Sequence, residues 1–275
     1  MIIDGKQIAE EVLEGLKKAI QERKLSLKMA AVLVSNDLAL KKFVELKEKA
    51  AKSIGVGFKG YFFDENISEE NLINEVEKIS AEPEIEGVFI ELPLPKHVNT
   101  QNILDVIPSE KDLDALSQPL QDKFFSGDFS ILPPAVEAVR MVFKKYNIDP
   151  KGKKIAVFGH GFLVGKPVAY WLEKQGVEVS VIRSKTENPA EISKEADVII
   201  SGVGKPGLIT GDMVKEGAVV IDFGYGKKDN KMVGDVDFDS VLPKASLITP
   251  VPGGMGPILI AAVLKNLIVL NEKRG

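Results

Sequence analysis

Residues 154–165 read Lys154-Ile155-Ala156-Val157-Phe158-Gly159-His160-Gly161-Phe162-Leu163-Val164-Gly165, an apolar run that ends directly in three closely spaced glycines. Val168, Trp171 and Leu172 follow at helical spacing. The order is therefore strand, glycine turn, helix. Such a turn lets the backbone approach a pyrophosphate while free amides and the positive end of the helix hold its charge. The third glycine falls one residue later than in the usual G-x-G-x-x-G, and a glycine turn after a buried strand also has a purely structural reading. Spacing favours the cofactor: the next strand, Val177 to Ile182, begins where a βαβ unit of about 30 residues requires it. Gly159, His160, Gly161, Val164 and Gly165 are thus expected to bind a dinucleotide.

An NAD site normally carries Asp or Glu at the end of that second strand, for the ribose hydroxyls. Here the residues are Arg183-Ser184-Lys185-Thr186. A carboxylate would repel a 2′-phosphate, whereas Arg183 offers a charge-assisted fork and Ser184 a neutral hydrogen bond. NADP is favoured over NAD; the plain alternative is a solvated basic turn. Further strands are expected at Val198–Ser201 and Ala218–Phe223. Gly202, Gly204 and Gly224 follow their ends, where open α/β sheets bind ligands.

Toward the N-terminus the same alternation appears. Helices are expected over residues 7–23, Leu38–Ile54 and Glu69–Ile79, with strands at Met29–Val34, Val56–Phe63 and Gly87–Leu94. This order implies parallel strands with crossover helices. Asn99 suits a helix cap, and Pro108 to Pro134 is turn-rich, which places the domain boundary there; a helix from Ala135 to Tyr146 follows.

A chain of 275 residues suits two modest domains. With 36 basic and 40 acidic residues the net charge is −4, which offers no overall attraction to nucleic acid or anionic lipid. There is no cysteine, and the two histidines, His97 and His160, stand far apart, so no metal site is expected. The start, Met1-Ile2-Ile3-Asp4-Gly5-Lys6, lacks the pattern of a signal peptide, and a cytoplasmic protein is expected. The most apolar stretch, Ile258 to Leu270, contains Lys265 and Asn266 and reads as a buried helix rather than a membrane span.

Several segments together resemble the bifunctional methylenetetrahydrofolate dehydrogenase/methenyltetrahydrofolate cyclohydrolase family from end to end. They are Asp4-Gly5-Lys6, Phe43-Val44-Glu45-Leu46-Lys47, Leu92-Pro93-Leu94-Pro95-Lys96-His97 and Lys111-Asp112-Leu113-Asp114 in the first half. In the second half they are Val164-Gly165-Lys166-Pro167, Ser184-Lys185-Thr186, Gly204-Lys205-Pro206-Gly207, Gly234-Asp235-Val236-Asp237-Phe238, and Thr249-Pro250-Val251-Pro252-Gly253-Gly254-Met255-Gly256-Pro257. The resemblance implies oxidation of 5,10-methylenetetrahydrofolate by hydride transfer to NADP, then hydrolysis of the methenyl product to 10-formyltetrahydrofolate, in a cytoplasmic homodimer. It implies an α/β fold of two domains. Residues 1–120 form a catalytic, folate-binding domain, joined by a C-terminal helix over 256–275, and residues 121–255 a Rossmann-type doubly wound parallel sheet, with one cleft serving both steps. Lys47 matches the catalytic lysine and Asp114 the aspartate that grips the pterin. Phe43, Leu92, Pro93, Val251, Pro252, Gly253, Gly254 and Gly256 fall on the substrate side. Without the resemblance, Lys47 is one of many surface lysines and Asp114 a turn residue.

This chain departs from the family where chemistry is done. Phe43 stands in place of the usual tyrosine, Leu40 of a serine and Glu91 of the glutamine ahead of Leu-Pro-Leu-Pro. Phe43 and Lys47, four apart, still share a helix face. Phe43 stacks but makes no phenol hydrogen bond. If Glu91 approaches Lys47, the opposite charge opposes its action as a base and weakens the cyclohydrolase step; a plain structural ion pair is the alternative. His160 replaces an arginine and Arg183 a histidine, and Pro133-Pro134-Ala135-Val136 lacks the usual Cys-Thr-Pro. Two further alternatives stay open: a dehydrogenase without the second activity, and a folate- and dinucleotide-binding protein without turnover.

Overall fold

The computed structural model describes residues 1–228 and 231–273. In chain order the first elements are α1 (Gly5–Glu22), β1 (Lys28–Leu33), α2 (Leu38–Ser53), β2 (Gly57–Phe62), α3 (Glu69–Ala81), β3 (Gly87–Ile90), α4 (Thr100–Asp105), α5 (Gln118–Phe125) and α6 (Pro134–Lys145). There follow β4 (Lys154–Phe158), α7 (Gly165–Lys174), β5 (Glu178–Ile182), α8 (Pro189–Lys194), β6 (Val198–Ser201), β7 (Val219–Asp222), β8 (Gly226–Lys228), β9 (Lys231–Val233), α9 (Phe238–Val241), β10 (Leu247–Ile248) and α10 (Met255–Glu272). Helix starts obey local chemistry. Asp37 accepts from the Ala39 amide, Ser68 from Asn71, and Asn99 from Gln101 and Asn102, each filling amides that a first turn leaves open.

The chain forms two compact units. One joins Glu11–Pro134 to residues from Ile260 onward, and the other joins Met1–Glu10 to Ala135–Leu259. These limits differ from the expected 1–120 and 121–255. Leu120 and Ile131 belong to the core of the first unit, so α5 and the turns after it stay with that unit. The first residues leave it because Ile2 bridges to Ile248 and the Ile3 amide donates to the Ile248 carbonyl at 2.8 Å.

In the first unit β2-β1-β3 is a parallel sheet. Alternate residues of β1 face opposite sides: Met29, Ala31 and Leu33 pack with α2 and α10, while Ala30 and Val32 pack with α3 and α4. Both faces are covered, so β1 reads as an unbroken apolar run. α10 is 18 residues long and, by length and composition alone, long enough to cross a membrane. Its apolarity is explained by burial: Ile260, Val263, Leu264, Leu267, Ile268 and Leu270 complete this core. The end of the helix expected at residues 274 and 275 lies outside the described residues.

The second unit holds a five-stranded parallel sheet in the order β10-β7-β6-β4-β5, with an antiparallel hairpin, β8 and β9, beside it in sequence. The order reverses between β4 and β6, the switch point of an open α/β sheet. Phe158 stands opposite both Ile182 and Ser201, so the turns after β4, β5 and β6 emerge together at one sheet edge.

Candidate active site

On α2, Leu40, Phe43, Val44, Lys47 and Ala51 recur at intervals of three and four, which puts Lys47 in the stripe that packs inward. Its side chain is 8% exposed and that of Glu91 7%, so Lys47 is no surface lysine. A lysine at this depth requires a partner. Lys47 Nζ donates to Glu91 Oε2 at 2.8 Å and lies 4.0 Å from the ring centroid of Phe89 and 5.2 Å from that of Phe43. Each such cation–ring contact contributes about 0.5–2 kcal/mol. Strand alternation turns Glu91 to the same side as Phe89, two residues earlier. β3 ends at Ile90 rather than at the expected Leu94, because Pro93 cannot donate to a ladder. The Glu91 amide nonetheless donates to the Val32 carbonyl at 2.8 Å, which keeps its side chain in register. Leu92 is half-buried and Pro93 exposed directly after it.

Asp114 reaches this cluster from another segment. The chain beside β3 pairs through Val88 N to Lys111 O at 2.7 Å and Leu113 N to Val88 O at 3.1 Å. Buried Asp112 then closes a turn, accepting from the amides of Asp114, Leu116 and Ser117 at 3.2, 2.9 and 2.7 Å. From α10, Asn266 Nδ2 donates to the carbonyls of Leu113 and Leu132, both at 2.9 Å. Burial pushes the Asp114 carboxyl up to about 7; Lys47 opposes the rise, while Asp112 and Glu91 add to it. The cluster therefore pairs a caged ammonium with a carboxyl that exchanges its proton near neutrality. It has the groups to hydrogen-bond a polar heterocycle and to move a proton. Phe89, Asp112 and Asn266 were not anticipated from sequence. Asp112 carried a signal in the Lys111–Asp114 motif, and Asn266 in being a lone amide in an apolar run, since a buried amide must bond something.

In the second unit the glycines separate into two kinds. Gly159 has φ +90°, and a Cβ on Gly165 would overlap the Gly159 carbonyl, so both serve the turn itself. A Cβ on Gly161 would meet nothing within 4 Å: this glycine faces open space. Val164, the N-cap of α7, supplies no side-chain cap; the Lys166 amide donates to the Gly161 carbonyl at 3.0 Å and Pro167 has no N–H, so the first turn leaves at most the Gly165 amide for an anion. A bare cradle in front of an uncapped helix fits a dinucleotide pyrophosphate. Gly202 closes against the Val164 side chain, 2.7 Å from where its Cβ would stand, and Gly204 has φ +76°. His160, Arg183 and Ser184 are exposed at the same sheet edge.

Two buried carboxylates, Asp222 and the Asp235 of the Gly234–Phe238 motif, shape this edge. Asp235 accepts from Ser201 Oγ at 2.7 Å and from the amides of Val203 and Lys205 at 2.7 and 2.6 Å, fixing the loop that carries Gly202 and Gly204. Asp222 accepts from the amides of Gly224, Asp235 and Val236 at 2.7, 3.2 and 2.9 Å. Burial pushes the Asp222 carboxyl up to about 6, with Asp235 adding to the rise and the amides opposing it.

The segment Val251, Pro252, Gly253, Gly254 and Gly256 belongs to this unit, not to the one that holds Lys47. The Gly5 amide donates to the Gly253 carbonyl at 3.1 Å, and a Cβ on Gly5 would overlap the carbonyl of Gly254. Asp4-Gly5-Lys6 and the Pro-Gly-Gly run are thus one structural feature. Gly253 has φ +100°, which favours glycine there. Gly256 lies in the first turn of α10.

Residues 3–114 match the family model described as tetrahydrofolate dehydrogenase/cyclohydrolase, catalytic domain, and residues 133–274 match its NAD(P)-binding domain. The bifunctional protein FolD of Hydrogenobaculum sp. (strain Y04AAS1) is 37% identical over 275 residues, 99% of each chain. Among solved structures, FolD methylenetetrahydrofolate dehydrogenase/cyclohydrolase from Campylobacter jejuni is similar at TM-score 0.94 and 34% identity, covering 100% of this chain and 99% of that one. The Trypanosoma brucei methylenetetrahydrofolate dehydrogenase-cyclohydrolase, complexed with NADP cofactor and inhibitor, is similar at TM-score 0.94 and 30% identity, covering 100% and 98%.

Proposed function

Because the chain belongs to the tetrahydrofolate dehydrogenase/cyclohydrolase family, we propose that it oxidises 5,10-methylenetetrahydrofolate to the 5,10-methenyl form with NADP and then hydrolyses that product to 10-formyltetrahydrofolate. The observation that carries this reading is the Lys47–Glu91 pair, closed to water beside Asp114, in a chain that matches bifunctional enzymes from end to end. NADP, when bound, supplies the hydride acceptor.

The remaining roles fall to the chain's own side chains. Gly159, Gly161, Val164 and Gly165 hold the pyrophosphate, Arg183 and Ser184 the 2′-phosphate, and the loop with Gly202 and Gly204 the rest of the nucleotide. Asp114 hydrogen-bonds the pterin, Phe43 stacks on it, and Leu92 and Pro93 contribute to folate binding. Lys47 moves the proton that hydrolysis requires. Taking a proton from Lys47 strands the Glu91 carboxylate in a dry site, which is strongly unfavourable. Positioning for hydride transfer makes no such demand. The second step is therefore slower than the first.

Incubating purified protein with methylenetetrahydrofolate and NADP, while following reduced cofactor and methenyl product separately, tests both parts. Expected is equal formation of NADPH and methenyl product at first, with the methenyl form accumulating before it decays. No hydride transfer with NADP or NAD overturns the assignment; methenyl consumption at least as fast as its formation overturns the slow second step. As part of the same reading the enzyme works in the cytoplasm as a homodimer, with no nucleic acid or membrane partner. The dimer is supported by β2, an edge strand whose Phe62 is 63% exposed.

A further inference from the structure

β4 and β5 run parallel with Phe158 opposite Ile182, and the Gly159 amide donates to the Ile182 carbonyl at 2.8 Å. The next residue along each segment is then a cationic or titratable one: His160 on one, Arg183 on the other. The turn after β5 is closed twice, by Arg183 N to Thr186 Oγ1 at 2.8 Å and Thr186 N to Arg183 O at 3.0 Å. It presents Arg183, Ser184 and Lys185 to solvent. Lys166, whose amide donates to the Gly161 carbonyl at 3.0 Å, brings a further positive charge from the first turn of α7. Around His160 the charged groups are therefore Arg183 from the β5 turn and Lys166 from α7, with Glu173 on α7 the acid that acts on it. Partial burial and the two cations hold the imidazole below its usual range, and Glu173 offsets this in part.

Such a ring is poised rather than committed. In the free protein its neighbours repel a proton; a dianion placed among them reverses the sign of the local field. We propose that His160 takes up a proton when the 2′-phosphate of NADP binds beside Arg183 and Ser184, which makes the preference for NADP over NAD stronger as the pH falls through neutrality. The inference rests on the reading of this unit as an NADP site. Its sign follows from linkage: a group whose affinity for a proton is higher in the complex strengthens binding below that higher value, and the gain is lost as the pH rises through it. One linked proton changes affinity by at most about tenfold per pH unit.

Calorimetric titration of the whole protein with NADP and with NAD, in two buffers of different ionisation enthalpy, reads the proton directly. At neutral pH, wild type should take up more protons on binding NADP than His160→Gln does, the difference approaching one; with NAD the two should agree. Between pH 7 and 8 the wild-type dissociation constant for NADP should weaken about three- to tenfold, and that of His160→Gln less than twofold. The variant also carries any titration of the phosphate itself, so the difference belongs to His160. His160 is exposed, and an unchanged melting temperature confirms a folded variant. Equal proton uptake in wild type and His160→Gln, with NADP bound by both, overturns this inference alone. Failure of wild type to bind either nucleotide overturns the cofactor reading beneath it.

Discussion

The nucleotide-binding edge and the Lys47 cluster solve the same problem, holding charge in place, with different materials. At the nucleotide edge the work is done by backbone: glycines where a Cβ would collide, one glycine that faces open space, and a helix start with no side-chain cap. In the Lys47 cluster it is done by buried side chains drawn from α2, β3, the 111–117 turn and α10. Backbone devices are local, so they survive change at a single side chain. A buried ion pair is cooperative, so removing one member leaves its partner uncompensated. The two places should therefore fail differently.

The largest effect is expected at the pair. Lys47→Ala should lower turnover about 10²- to 10⁴-fold, the usual weight of a positioned proton-transfer group. NADP affinity measured by titration should stay within about twofold, because Lys47 belongs to the other unit. A comparable loss of NADP binding would show that the two places are not independent.

A smaller effect separates the two kinds of glycine. Gly165→Ala forces a methyl group into the Gly159 carbonyl and should cost about 1–3 kcal/mol of stability, seen as a lower melting temperature. Gly161→Ala meets no protein atom and should melt as wild type does, yet weaken NADP about tenfold by occupying the cradle. Unchanged NADP affinity in Gly161→Ala would remove Gly161 from the cofactor contacts.

The last effect is a slope with pH rather than a fixed difference. The Asp114 carboxyl is raised from 3.8 to about 7, so across that window the native state binds a proton that the unfolded chain has lost. Stability held at low pH is therefore given up as the pH rises from about 4 to about 7. Asp114→Asn should flatten this part of a melting-temperature profile and gain most, relative to wild type, above pH 7. Parallel profiles for the two proteins would place Asp114 in a more solvated setting than the structure gives it.

How much of this was legible in the sequence differs between the two regions in the same way. Gly159, Gly161 and Gly165 announce themselves because a turn, its strand and its helix are contiguous; β4 and β6 begin and end where the apolar runs predict. α5 was lost among the prolines and glycines of residues 108–134, since a helix of 8 residues has too few turns to show a period. The hairpin of β8 and β9 is too short for the alternation that marks a strand.

By itself the sequence determined the alternating α/β order, the glycine cradle, the basic turn after β5 and, through its motifs, the family. These are properties of neighbouring residues, set by period, backbone freedom and charge. The tertiary structure alone decided that Lys47 is buried against Glu91 and Phe89, that Asn266 braces the Asp114 turn, that Asp235 arranges the loop after β6, and that Gly5 packs on Gly253 and Gly254. Each joins residues at least 30 apart in the chain. A burial depth or a hydrogen bond between such segments exists only once the sheets have set which ends meet, and no local pattern encodes that.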